Sequence, residues 1–389
     1  MSWLPDAGFR WPALVVALGL LAAACSAGGD LGRRASEAAE ATKAEKDGEG
    51  IRPLVDPEDL IRGGPPPDGI PPIDDPRFIG PGDADWLADR EPVLAVEIDG
   101  DARAYPLQIM TWHEIVNDVI GGVPIAVTYC PLCNTGIAFE RPTIGGRLLD
   151  FGTSGMLYRS NLVMYDRQTE TYWAQATGQA IIGELVGEQL TFVPARVLSF
   201  GDWRAAYPQG KVLSRDTGHE RPYGTNPYEF YDSSDQPFLF TGELDERLPA
   251  TERVIGVKTA SDTVAFPYSE LRDRAVGGWA AVSTSVGDAP IAVFWKAGTA
   301  SALDAGRIAD ARDVGAAVAY VPTLDGRTLT FVATGEGIRD EQTGSTWDIT
   351  GHAVAGELAG EELVPAIAIE SFWFDWAAFH PDTRIFGRP

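Results

Sequence analysis

The chain has 389 residues and a formal net charge of −25 at pH 7. Its length exceeds that of one typical domain, and 44% of its residues are hydrophobic, enough to bury a core. An acidic surface repels the phosphate backbone, so the charge argues against nucleic-acid binding. The three cysteines, Cys25, Cys130 and Cys133, do not form a disulfide framework.

The first 25 residues are typical of an export signal. The apolar run from Trp11 to Ala24 is too short to span a bilayer and ends in three alanines before Cys25. This end resembles the lipobox of bacterial lipoproteins, in which the cysteine is lipidated and becomes the mature N-terminus. The resemblance implies a cell-membrane lipoprotein that faces the periplasm or the cell exterior. The alternative is an ordinary signal peptide, with Cys25 present by chance.

Residues 26–75 are rich in Ala, Glu, Lys, Gly and Pro. Because this composition cannot form a core, the sequence predicts a flexible tether. Such a tether would hold a folded domain away from the membrane surface.

The remaining sequence contains an internal repeat. The predicted hairpin from Val93 to Pro106 recurs from Val254 to Pro267. Four more segments recur in the same order: Pro124–Tyr129 as Pro290–Trp295, Pro142–Arg147 as Pro322–Arg327, Asp166–Trp173 as Asp340–Trp347, and Gly183–Glu188 as Gly356–Glu361.

We therefore predict a β-rich α+β fold in which two tandem copies of one mostly antiparallel module pack together. The first module spans residues 76–228, a connector spans 229–250, and a degenerate second module spans 251–389. Features that both copies share most simply specify the fold. We thus expect Asp166 and Thr169 to form a turn and Trp173 to lie in the core.

The first copy alone carries Cys130-Pro131-Leu132-Cys133, where the second copy has Lys296 to Thr299. Its stretch from Gly152 to Met164 is also longer than its counterpart, and His113, in a helix predicted over 107–118, aligns near Arg274. A duplicated module that has lost its function keeps the residues that pack its core and loses the residues that carried out the chemistry. We therefore expect the functional site in the first copy.

Several motifs in this copy resemble the bacterial and archaeal family called domain of unknown function 3179. They are Trp112–Asp118, Val127–Gly136, Phe151–Gly155, Tyr158–Asn161, Met164–Gln168, Arg215–Gly218 and Arg221–Tyr228. The resemblance covers roughly residues 90–385 and implies no established activity, so the chemistry has to be argued from the residues.

Two cysteines on one tight turn suit a soft metal, copper(I) or zinc(II). We predict Cys130, Cys133 and His113 as metal ligands. Six further residues are candidates to complete the site, as additional ligands or as side chains that orient the ligands or bind a substrate: Met156, Tyr158, Arg159, Asn161, Met164 and His219.

The expected function is that of an extracytoplasmic, membrane-tethered metal-binding protein, with copper favoured, for metal handling or redox chemistry. One alternative is a thiol–disulfide redox protein. The strand predicted after Asn134 argues against a thioredoxin-like helix there. Another alternative is a non-catalytic binding or scaffold module with a structural disulfide.

Overall fold

The computed structural model describes residues 52–388. The predicted signal, Cys25 and the first part of the predicted tether lie outside the described residues. Across residues 52–388, helices are all too short or too polar to cross a membrane. We call residues 60–213 the N-terminal half and residues 253–385 the C-terminal half.

The N-terminal half contains sixteen described strands: β1 Leu60–Arg62, β2 Phe78–Ile79, β3 Pro92–Ile98, β4 Asp101–Pro106, β5 Ile115–Ile120, β6 Val123–Cys130, β7 Thr135–Glu140, β8 Thr143–Ile144, β9 Arg147–Leu148, β10 Phe151–Tyr158, β11 Asn161–Asp166, β12 Tyr172–Ala174, β13 Gln179–Ile182, β14 Phe192–Val193, β15 Ala195–Ser199 and β16 Lys211–Leu213. Its two helices are α1 Leu107–His113 and α2 Phe200–Ala206.

The C-terminal half contains fourteen described strands: β17 Arg253–Lys258, β18 Thr263–Pro267, β19 Trp279–Val286, β20 Ala289–Lys296, β21 Ala316–Val321, β22 Thr323–Leu324, β23 Arg327–Thr328, β24 Phe331–Thr334, β25 Gly337–Asp340, β26 Thr346–Trp347, β27 Ala353–Ala355, β28 Val364–Pro365, β29 Ala368–Phe372 and β30 Arg384–Ile385. Its helices are α3 Tyr268–Asp273 and α4 Trp373–Phe379. Short 3-10 helices occur at Pro57–Asp59, Pro81–Asp83, Tyr231–Ser233 and Ile308–Asp310.

The sheets are mostly antiparallel, which confirms the predicted β-rich fold class. The order β15-β3-β4-β16 has the counterpart β29-β17-β18-β30, and each set contains one parallel pair, β4–β16 and β18–β30. Likewise, β14-β7-β6-β5 has the counterpart β28-β21-β20-β19, and β10-β11-β12-β13 has the counterpart β24-β25-β26-β27. The two halves therefore use the same strand orders.

Local sequence explains several of these elements. Gly145 and Gly146 both have positive φ between β8 and β9, as a two-residue hairpin turn requires. The Asp166 carboxylate accepts hydrogen bonds from the Thr169 amide (2.7 Å) and the buried Trp173 indole (3.0 Å). The predicted turn and the predicted core position are thus confirmed.

Two predicted boundaries differ from the structure. The helix predicted over 107–118 ends at His113, because Glu114 has a φ of 60° and the following residues form β5, which pairs with β6. The sequence predicts a tether that extends to residue 75. In the structure, residues 60–62 pair with β10, and Ile73 forms an isolated β-bridge with Val116. Residues 60–75 are therefore part of the folded unit.

The core joins the two halves. One buried cluster contains Cys130, Cys133 and Met164 together with Phe372 and Phe374 of the C-terminal half. A second cluster also draws residues from both halves. The cysteine motif therefore lies where the N-terminal half packs against the C-terminal half.

Candidate functional site

Cys130 and Cys133 form a buried pair of free thiols on one turn. The Cys133 amide donates to the Cys130 carbonyl oxygen (3.3 Å), so residues 130–133 form a β-turn between β6 and β7. Pro131 suits the second turn position because its ring fixes φ near the required value. A β-turn brings its first and last Cα atoms within about 7 Å, a spacing compatible with a disulfide.

The two sulfur atoms face the turn between β10 and β11. The Ser160 carbonyl oxygen lies 3.2 Å from the Cys133 Sγ atom and 3.9 Å from the Cys130 Sγ atom. Arg159 and Ser160 at this turn both have positive φ. The exposed fraction is 2% for Cys130 and 0% for Cys133, so both thiols are out of solvent.

A carboxyl group from the C-terminal half completes the environment of Cys133. Asp375, in α4, accepts hydrogen bonds from Asn161 Nδ2 (2.9 Å), Ser371 Oγ (2.8 Å) and Thr135 Oγ1 (3.2 Å), and it contacts the Cys133 thiol. Burial raises the pKa of Asp375. Burial also raises the pKa of the Cys133 thiol well above its usual value, and the neighbouring Cys130 and Asp375 add to this effect.

Asn134 links the turn to a second buried network. It has a φ of 52°, a conformation that asparagine tolerates better than most residues. Its Nδ2 atom donates to Glu370 Oε1 (2.8 Å), and its Oδ1 atom accepts from the Tyr129 hydroxyl (3.2 Å). Arg253 pairs with the same Glu370 oxygen (3.2 Å). The backbone next to the cysteines is therefore held by the C-terminal half.

A second buried carboxyl group lies at the end of α1. Glu114 is 7% exposed, and within residues 52–388 no side chain donates a hydrogen bond to its carboxyl group. Burial alone raises the pKa of Glu114 to about 8. Burial is the largest cause of the raised pKa of the Tyr228 phenol, and the charges of Glu114 and Cys130 raise it further.

Residues 214–252, which connect the two halves, cover the thiols; we call them the covering segment. Ser160 Oγ donates to the Phe238 carbonyl oxygen (2.7 Å) of this segment. Tyr228 and Tyr231 pack against the core cluster that contains the cysteines. A connection of this length, with one 3-10 turn and no strand in the structure described, is typical of a functional loop.

His113 lies in a different environment from the one predicted. Its Nδ1 donates to the Pro71 carbonyl oxygen (2.7 Å), its Nε2 accepts from the Tyr223 hydroxyl (2.6 Å), and its ring lies 5.4 Å from that of His219. Burial lowers the pKa of His113 to about 4. Among residues 52–388, no group of three or more His, Cys, Asp or Glu side chains could hold a metal ion.

The other predicted residues are dispersed. Asn161 binds Asp375 and belongs to the site, and Met164 lies in the same core cluster as the cysteines. Met156 packs against a separate small cluster on the other side of its sheet. Tyr158 and Arg159 contact the Phe379 ring, and Arg159 also donates to the Ala378 carbonyl oxygen. These last two residues therefore join the halves beside the site.

Sequence reasoning missed Asp375, Glu114 and Tyr228. Glu114 and Tyr228 lie inside motifs that carried the family resemblance, and these motifs were the available signal. No local signal pointed to Asp375, because it belongs to the half that we expected to give structural support alone.

The chain is thus a β-rich protein with a buried pair of cysteine thiols where its two halves pack together. The chain matches the family of proteins of unknown function DUF3179 over residues 67–383, and it belongs to this family, as the motifs predicted. No curated protein and no solved structure matches the chain.

Proposed function

We propose that this protein is a thiol–disulfide oxidoreductase whose Cys130 and Cys133 cycle between dithiol and disulfide. One arrangement carries the proposal: the Asp375 carboxyl group, held by Asn161, Ser371 and Thr135, lies beside the buried Cys133 thiol. A thiol with a raised pKa is a poor nucleophile until a base removes its proton. Asp375 is placed to be that base.

The burial of the two thiols supports different roles for them. Cys130 is 2% exposed as a residue and Cys133 is fully buried beside Asp375, so in this proposal Cys130 attacks the substrate and Cys133 resolves the product. The covering segment must move before a substrate reaches Cys130. The hydrogen bond from Ser160 Oγ to the Phe238 carbonyl oxygen is one contact that this movement would break.

The reaction has two steps. The Cys130 thiol first releases its proton to solvent, and the resulting thiolate attacks a substrate disulfide. The disulfide bond of the substrate breaks, a mixed disulfide forms at Cys130, and the first substrate thiolate leaves and takes a proton from solvent. Cys133 then transfers its proton to Asp375 and attacks the Cys130 sulfur atom. The second substrate thiolate leaves and takes the proton from Asp375. The protein ends oxidised, the substrate ends as two thiols, and an external dithiol reduces the protein again.

Copper(I) binding is the second candidate function. Both sulfur atoms lie on the same side of the turn, since both approach the carbonyl oxygen of Ser160. Two thiolates on one turn are soft ligands that select copper(I). Either reaction would take place outside the cytoplasm, because the first 25 residues are expected to direct export. The lipid anchor expected at Cys25 would hold the protein at the membrane surface.

The test is reaction of the reduced protein and its variants with a small disulfide, followed by mass spectrometry after alkylation. We expect Cys133→Ser to accumulate a mixed disulfide at Cys130 and Cys130→Ser to form none. Asp375→Asn should slow the resolving step about 10²-fold, the usual effect of losing a general base.

A folded Cys133→Ser protein that forms no mixed disulfide would overturn the proposal. Copper titration of the reduced protein separates the second candidate. Stoichiometric copper(I) together with thiols that resist oxidation would favour metal handling.

A further inference from the structure

Glu114 is a buried carboxyl group that the reaction above does not use. It follows α1 with a φ of 60°, in the left-handed region that side chains other than glycine, asparagine and aspartate rarely adopt. Such a conformation is unfavourable, and so is a carboxyl group that is mostly buried and accepts no hydrogen bond from the described residues. Both persist here in one residue, which indicates a functional rather than a stabilising role.

The fold itself does not require a glutamate at this position. The counterpart helix in the C-terminal half, α3, begins after Pro267 as α1 begins after Pro106. Its C-cap is Arg274, which has an ordinary φ of −90° and whose side chain reaches solvent. Ending this helix thus needs neither positive φ nor a buried acid.

Glu114 lies close to the attacking thiol. Its carbonyl oxygen accepts from the Tyr129 amide (2.8 Å), so its backbone lies beside the end of β6, next to Cys130. Tyr228 of the covering segment is near enough to sense the charges of both Glu114 and Cys130. If the covering segment moved, the Glu114 carboxyl group and the Cys130 thiol would therefore both face the space that the segment had occupied.

We infer that Glu114 forms a subsite that receives a cationic group, such as an ammonium group, of the disulfide substrate that Cys130 attacks. This inference rests on the proposed thiol–disulfide function. Within residues 52–388, no Lys or Arg pairs with Glu114, so a cation must come from outside this part of the chain. A charge-assisted hydrogen bond is the strongest partner for a buried carboxylate.

No hydrogen bond or ion pair from the described residues compensates the charge of the Glu114 carboxylate, which is 7% exposed. Binding of a cation would supply that compensation and would hold the substrate disulfide beside Cys130. A neutral or anionic disulfide would lack this interaction.

The experiment compares three probe disulfides that differ in charge: cystamine, which is cationic, bis(2-hydroxyethyl) disulfide, which is neutral, and 3,3′-dithiodipropionate, which is anionic. Each oxidises the reduced full-length protein in a single turnover, and each rate is divided by that of free glutathione with the same disulfide. About 0.5 M salt screens the long-range attraction of the acidic surface for cations.

We expect the wild-type protein to react about tenfold or more faster with cystamine than with the neutral disulfide, the effect of one hydrogen bond to a charged group. Glu114→Gln should lower the cystamine rate to the neutral level and leave the neutral rate unchanged. Glu229→Gln, which removes an exposed carboxylate of the covering segment, should behave like wild type.

An unchanged preference for cystamine in folded Glu114→Gln would overturn the inference and leave the proposed function intact. A wild-type protein without a preference for cystamine would overturn the inference as well. If Glu114→Gln does not fold, Glu114→Asp takes its place, and an undiminished preference for cystamine in that variant would overturn the inference. A wild-type protein that none of the three disulfides oxidises would overturn the proposed function itself.

Discussion

The burial of His113 makes the stability of the protein depend on pH. Both ring nitrogens are hydrogen-bonded, and burial lowers the pKa of the folded state from 6.5 to about 4. The unfolded chain therefore binds a proton on this residue at a higher pH than the folded protein does. The stabilisation is complete above about pH 6.5 and is lost as the pH falls toward 4.

We predict that the free energy of unfolding decreases by about 3 kcal/mol over this window on account of His113 alone. Urea denaturation at several pH values should show a smaller decrease for His113→Gln than for wild type. Other titrating groups, including His380, whose pKa is also lowered to about 4, cancel in this comparison. If the free energy of unfolding fell equally with pH in both proteins, His113 would not be the cause of the decrease.

The two halves contain a matched pair of turns. Asp340 accepts from the Thr343 amide (2.6 Å) and the Trp347 indole (3.0 Å), as Asp166 does from Thr169 and Trp173. Removing either aspartate leaves a buried indole N–H without a partner. We predict that Asp166→Ala and Asp340→Ala each lower the free energy of unfolding by about 3 kcal/mol. Values that differ by more than about 2 kcal/mol would show that the turns are not equivalent.

The covering segment gives a prediction about access. Ser160→Ala removes the hydrogen bond to Phe238, which contributes about 1 kcal/mol to closure, or about fivefold in the population of the open segment. We predict a correspondingly faster alkylation of Cys130 under native conditions. Ser154→Ala is the control, because Ser154 Oγ bonds Val163 within the sheet and does not touch the covering segment. Equal rates in both variants would mean that global opening exposes the thiol.

The sequence predicted those elements whose cause is local. The turn at Asp166 and Thr169 follows from neighbouring residues alone. The end of α1 could not be predicted, because it depends on the pairing of β5 with β6 and on the unusual φ of Glu114. The position of Asp375 beside the Cys133 thiol could not be predicted, because more than two hundred residues separate the two in the sequence.

The two halves share their core and their site. Asn161 binds Asp375, Asn134 binds Glu370, and the Phe372 amide donates to the Cys133 carbonyl oxygen (2.8 Å). A cavity in the C-terminal half should therefore weaken the protection of thiols that belong to the N-terminal half. This coupling can be measured, because the two described cysteines both lie in the N-terminal half.

Phe294 is a suitable position for this test, since it is fully buried in the C-terminal half within the cluster that both halves share. We predict that Phe294→Ala lowers the free energy of unfolding by about 3–5 kcal/mol. Circular dichroism and thiol alkylation, followed along one urea series, should shift together to lower urea concentration. Thiols that stay protected at the wild-type midpoint, while the circular dichroism midpoint shifts, would mean that the halves unfold separately. A single shifted midpoint would mean that the C-terminal half keeps Cys130 and Cys133 buried, because the site loses its cover when either half unfolds.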